Sequence, residues 1–243
     1  MGTVRCRRAL AACLAGTVLV VACNGDESSA PTTTAPAGPT TTISQVEGDR
    51  QKAQRAVLTP ADLPGFSQDA PGTHVDDTEL EAAANACFGY NPLLVRLGEA
   101  DDPRGAASPH FRRGEVLTLG SGVTFAETED EARAAITALS AEGFERCFSD
   151  ALGARLRNNP MFADVDVTTA RLPNVAVGDE STGYRSTVGV QVSGQAVTIY
   201  SDFTFVRVGR GVAVLSGFAI GAPFPEAERN RLVTAITGRM AAR

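Results

Sequence analysis

Between residues 184 and 220, three runs of alternating apolar and polar side chains follow one another with only short glycine-containing segments between them. No other stretch constrains the fold as much. Tyr184, Val188, Val190 and Val192 alternate with Arg185, Thr187 and Gln191. Val197, Ile199, Phe203 and Phe205 take the inward parity of the next run, and Val212, Val214, Phe218 and Ile220 that of the third. A period of two describes a strand that buries one face. Ser193-Gly194-Gln195 and Gly209-Arg210-Gly211 read as hairpin turns. The expectation is an antiparallel meander with one apolar and one partly wet face.

Two more strands and several helices complete the pattern. Leu117, Leu119, Val123 and Phe125 share one parity, with Gly120 and Gly122 suggesting a bulge or a close backbone approach. Val165 and Val167 alternate with acids, which brings the sheet to about five strands. Helices are expected over residues 45–57, from Thr78 with Glu81 in a capping box, and over residues 90–97 ahead of a loop at 101–109. Thr128 and Glu131 open another, running to about residue 157 and kinked at Gly143. A last one starts near Pro225 and buries Leu232, Val233, Ile236 and Met240. The class is α+β, an antiparallel sheet with helices packed on it.

The amino terminus says where the domain works. Arg5, Arg7 and Arg8 precede an uncharged, mostly apolar run at residues 9–22, the form of a secretory signal. That run is too short for a bilayer core needing about 20 apolar residues. Leu19-Val20-Val21-Ala22-Cys23 resembles a bacterial lipobox. The resemblance implies acylation of Cys23 and cleavage after Ala22, with residues 1–22 a lipoprotein signal peptide. The alternative is a secreted protein in which Cys23 is incidental. Several acyl chains anchor a protein stably where one is marginal, so the expected location is the extracytoplasmic face of the cell membrane. Arg7 and Arg8 also leave the twin-arginine export route open.

Residues 23–44, rich in Pro, Thr and Ala, cannot bury enough apolar surface to fold and read as a tether. Residues 45–243 form one domain-sized unit. Loss of the leader removes three arginines and no acid, taking the net charge from −6 to −9. Such an acidic chain argues against nucleic acid as a partner. Of the five cysteines, Cys6 and Cys13 leave with the leader and Cys23 carries lipid, so Cys87 and Cys147 remain as a pair. Both fall on inward helix positions, as buried thiols or as a disulfide; an oxidising compartment favours the disulfide.

At Cys87, Cys147, the Gly178-Asp179-Glu180-Ser181 turn leading into Tyr184, and the arginine-ended closing helix, residues 57–243 resemble a group of actinobacterial exported domains. These are small lipoproteins and the extracellular sensor domains of receptor serine/threonine kinases. The resemblance implies an α/β sandwich of the Mog1/PsbP kind, with a cleft between helices and sheet.

No motif for chemistry stands out. His74 and His110 have no ligand-spaced partner, so neither a metal nor another cofactor is implied. There is no GxSxG elbow, and Ser108-Pro109-His110 reads as a loop. Asp76, Asp77, Glu79 and Glu81 suit the first turn of the Thr78 helix better than calcium. Asp179 and Glu180 shape a turn or serve acidic recognition. The leading expectation is a non-enzymatic, membrane-anchored sensor or binding module that takes a small ligand or an envelope protein in the helix–sheet cleft. An accessory lipoprotein working by protein contact comes second. A cell-envelope hydrolase comes third, and would need a convergent Ser, His and acid or two carboxylates.

Overall fold

The structure is a computed structural model that describes residues 44–69, 87, 89, 91–158, 163–192 and 194–242. The leader, Cys23, the tether up to residue 43, and most of the helix expected from Thr78 lie outside those residues. Among the described residues, eight strands make one antiparallel sheet in the order β1-β3-β4-β8-β7-β6-β5, with β2 also on β4. They are β1 (Ser67–Gln68), β2 (Gly105–Ala107), β3 (Phe111–Arg113), β4 (Leu117–Phe125), β5 (Ala163–Arg171), β6 (Glu180–Val192), β7 (Gln195–Val208) and β8 (Gly211–Ile220). The expected count of about five is corrected to eight. The three additions are two or three residues long, too short to display a period, and β2 lies inside the expected loop at 101–109.

Helices cover both faces of this sheet. On one side lie α1 (Gln45–Ala56) and the last helix, Glu226–Ala241, with the short α2 (Pro92–Arg96), α3 (Glu129–Leu139) and α4 (Phe144–Arg157) on the other; the last is α5. Register fixes the division: Val123 pairs with Ala213 and points at α1 and α5, whereas their neighbours Thr124 and Val212 point the other way. Leu119, Val123, Phe125, Val206, Leu215, Leu232 and Ile236 form the first core. Tyr184, Val212, Ile136, Leu139, Phe144 and Phe148 form the second, joined by Phe203 and Phe205.

The meander is therefore buried on both sides over much of its length, not half wet. Strand β8 also turns round the expected facing. Ala213, Leu215 and Ala219 enter the α1/α5 core, while Phe218 and Ile220 remain 42% and 37% exposed on the opposite face. Both parities of β8 are apolar, so alternation alone could not choose between them.

The long helix expected from Thr128 is two helices. Ser140 closes α3, and Gly143, at φ 82°, caps α4 in the left-handed region that costs glycine nothing. The break turns the chain so that Ile136 and Leu139 from α3 and Phe144 and Phe148 from α4 reach the same core. In the first turn of α4, Cys147 is joined to Cys87 by a disulfide with a Cα–Cα distance of 5.5 Å. Across the sheet, α1 packs on α5. There Arg239 Nη1 donates to both oxygens of Asp62 at 2.9 and 3.0 Å, and its Nε and Nη2 donate to the carbonyls of Ala56 and Val57.

Candidate functional site

Among the described residues, a concavity forms where β5 gives way to β6. Leu172 still donates to Gly183 O at 2.8 Å, and Pro173, with no N–H, cannot continue the ladder. Residues 174–179 then cross to the start of β6. Gly178 lies at φ 71°, and a Cβ there would sit 2.6 Å from both Arg207 O and Val206 Cγ1, so only glycine fits. Asp179 follows; its N–H donates to Arg207 O at 2.8 Å, while its Oδ2 accepts from Arg207 Nη1 at 3.0 Å and Gly209 N at 2.7 Å. Glu180 Oε1 accepts from Arg207 Nη2 at 3.2 Å and lies 3.7 Å from Arg133 Nε of α3.

Opposite this segment stands the end of α3, with Ile136, Thr137, Ser140 and Ala141. Between the two is an open cleft of about 680 Å³, bounded on the far side by residues 174–181. Its back is held firmly. The Tyr184 hydroxyl donates to Leu139 O, and Arg171 Nη2 donates to Ser140 O at 3.4 Å, so the last carbonyls of α3 are occupied. Burial pushes the Tyr184 phenol above its ordinary pKa. Arg171 sits 5.3 Å above the Tyr184 ring and donates to Glu145 at 2.8 Å, a hydrogen bond that holds the Glu145 carboxyl below the usual range.

Charge in this region is paired. Arg207 is buried and is matched by Asp179 and Glu180, so those acids brace the turn between β7 and β8 as well as their own. Arg207 Nε and the hydroxyls of Thr182 and Thr204 are buried without a hydrogen-bond partner. Thr137, Ser140 and Asn174 add neutral hydrogen-bonding groups to apolar Ile136, Val175, Ala176 and Val177. Such a lining suits a neutral or zwitterionic ligand of mixed polarity. It brings no histidine to a serine.

The remaining residues singled out in the sequence are dispersed. Cys23, His74, Asp76, Asp77, Glu79 and Glu81 lie outside the described residues. His110 stands beside Gly120 on β4, where a Cβ would meet its ring at 3.0 Å. The Ser108 hydroxyl donates to Pro109 O and accepts from Ser121 N, a loop role. Cys87 packs at the edge of the α3/α4 core. Among the described residues, no three His, Cys, Asp or Glu side chains gather as a metal site. Sequence reasoning missed Arg207, although a signal was present: an arginine on the parity of Phe203 and Phe205 requires acid partners, and the half-exposed Asp179 and Glu180 supply them.

No protein-family model matches the chain. No curated protein matches it either. Among solved structures, it is similar to the crystal structure of LpqN, described as involved in cell envelope biogenesis of Mycobacterium tuberculosis, at 11% identity and a TM-score of 0.26. The likeness covers 52% of this chain and 57% of that one, so the chain spans little more than half the length of that structure. Among the described residues, no helix is long and apolar enough to cross a membrane.

Proposed function

We propose that the protein is an envelope lipoprotein, held to the extracytoplasmic face of the membrane by acyl chains on Cys23 and the tether that follows, whose globular part binds a ligand and does not transform it. The observation that carries the binding role is the cleft between α3 and residues 174–181. Its walls are braced from behind by Tyr184, Arg171 and Arg207, its charges are paired, and its lining mixes apolar and neutral polar groups. A pre-formed site of that kind loses little freedom when a small molecule enters.

A second reading rests on a different observation. Val116, Phe218 and Ile220 are all exposed, and Ile220 N donates to Val116 O at 2.8 Å, so apolar side chains gather at one end of the sheet. A protein that works by contact with an envelope partner would use such a patch.

Mass spectrometry of the full-length protein extracted from its own membranes, first native and then denaturing, separates the two. The binding module predicts acylation at Cys23 and a small molecule that is lost on denaturation. A lipidated protein that carries another protein and no small molecule favours the contact role. An unacylated mature chain overturns the anchoring.

A further inference from the structure

The closing helix α5 begins beside a buried charge that its neighbours only half satisfy. Arg229, in the first turn, is 2% exposed. Its Nε donates to Asn230 Oδ1 at 3.2 Å and its Nη2 to Pro173 O at 3.5 Å, both neutral acceptors and both long bonds. Among the described residues, Nη1 makes no hydrogen bond, and Glu226 is the one acid within ion-pair distance, its Oε1 3.6 Å from Nη2 and its side chain 61% exposed. Asp202, the buried acid of this neighbourhood, is held by Arg185, whose Nε and Nη2 donate to its two oxygens at 2.7 and 2.6 Å. Burial pushes the Arg229 guanidinium below its ordinary pKa; Glu226 and Asp202 act against that, and Arg185 adds to it. A buried cation is costly unless an anion is hydrogen-bonded to it. Arg229 and Arg185 share one buried acid, which leaves one positive charge over.

The start of α5 adds donors at the same place. Arg229 N donates to Pro225 O at 3.0 Å, so the N–H groups of Glu226, Ala227 and Glu228 precede the first bond of the helix, and no side chain caps them. A cation in this turn opposes the helix dipole, whose positive end lies here, so Arg229 does not serve the helix itself. Helical side chains lean toward the amino terminus, which carries its guanidinium back to Glu226. Arg185 reaches that end from the sheet: its Nη2 donates to Phe224 O at 3.3 Å, just ahead of the helix. The Arg185 side chain is 24% exposed, so the place is open to solvent on the side of Arg185 and Glu226.

We propose that Arg229, Arg185 and the uncapped first turn of α5 form a binding site for a small carboxylate, on the α1/α5 side of the sheet and independent of the cleft. Guanidinium N–H groups and the free N–H groups of a first turn match a carboxylate in geometry as well as in charge. One surplus positive charge selects a singly charged group, so a carboxylate fits better than a phosphate dianion. Glu226 stands at the approach as an internal substitute, too far from Nη2 for a hydrogen bond and exposed enough to be displaced.

Sodium acetate is the probe, thermal unfolding of the full-length protein is the readout, and ionic strength is held constant with sodium chloride. A ligand that binds only the folded state raises the midpoint with its concentration, and a dissociation constant is fitted to that rise. Acetate in the millimolar range is expected to raise the midpoint, and inorganic phosphate, at a pH where it is a dianion, to raise it less. Arg229→Met keeps the length of the side chain, removes the charge, and should abolish the acetate effect. Glu226→Gln removes the exposed competitor and should tighten acetate binding about threefold. Since Glu226 is exposed, that variant decides the matter if Arg229→Met does not fold. No difference between acetate and chloride overturns the proposal and leaves Arg229 a structural group. So does an equal acetate effect in folded Arg229→Met, an unchanged affinity in Glu226→Gln, or a larger response to phosphate.

Discussion

Asp49 and Arg210, 161 residues apart, form a bidentate pair in which Arg210 Nη2 donates to Oδ1 at 2.7 Å and Nη1 to Oδ2 at 3.1 Å. Arg104 Nη1 adds a third bond to the same buried carboxylate at 2.9 Å. One aspartate on α1 thus fixes that helix to the turn between β7 and β8 and to the approach to β2. Replacing it leaves two guanidiniums facing a vacancy, and a buried ion pair that loses one member costs several kcal/mol. Asp49→Ala should lower the unfolding free energy in urea by about 3 kcal/mol. A loss of only a few tenths would mean that water replaces the carboxylate.

The Asp62–Arg239 pair gives the domain an acid-sensitive joint. Burial acts to raise the Asp62 pKa, but the hydrogen bonds from Arg239 and Thr59 outweigh it, and the carboxyl lies below its ordinary value. A depressed folded-state pKa contributes stability that is complete above the unfolded-state value, about 3.9, and is lost as pH falls through the folded-state value. Unfolding curves of the wild type taken at successive pH values below about 4 should therefore lose stability more steeply than those of Asp62→Asn. Equal slopes would assign the acid response to other carboxylates.

Gly178 is the hinge on which one wall of the cleft turns. Alanine there meets both a left-handed backbone and two atoms at 2.6 Å. Gly178→Ala should cost about 2 kcal/mol and displace Asp179 from Arg207. Urea denaturation gives the first quantity. Amide spectra of residues 174–181 report the second, and spectra unchanged there would contradict this account of the wall.

The Cys87–Cys147 disulfide closes a loop with a sequence separation of 60. In the chain-entropy picture a loop of that size is worth about 4 kcal/mol. The double variant Cys87→Ser with Cys147→Ser should show that loss in chemical denaturation against the oxidised protein. A much smaller difference would mean that the unfolded chain is already compact between these positions.

How much of this was legible in the sequence depends on the range of the interaction that decided each feature. The meander at 184–220 was legible because alternation is a nearest-neighbour pattern. So was the buried side of α5, where Leu232, Val233, Ile236 and Met240 recur at helical spacing. Strand β2 was not, since three residues pinned by β4 carry no periodic signal of their own. The break at Gly143 was half visible: glycine permits a kink or a left-handed turn, and the core shared by α3 and α4 selects the turn. The cleft was hidden for a different reason. Its wall depends on Arg207 reaching Asp179 across 28 residues, a pairing that local sequence does not express.

The packing of α1 on α5 sets a timetable. A chain that emerges from a narrow exit with its amino terminus first delivers α1 early, yet the partners that hold it, Arg210 and Arg239, arrive 161 and 177 residues after Asp49 and Asp62. Contacts so distant along the chain form late and slowly. The helix that comes first among the described residues therefore completes its contacts only after the last one has followed it, which places its docking among the closing steps of folding.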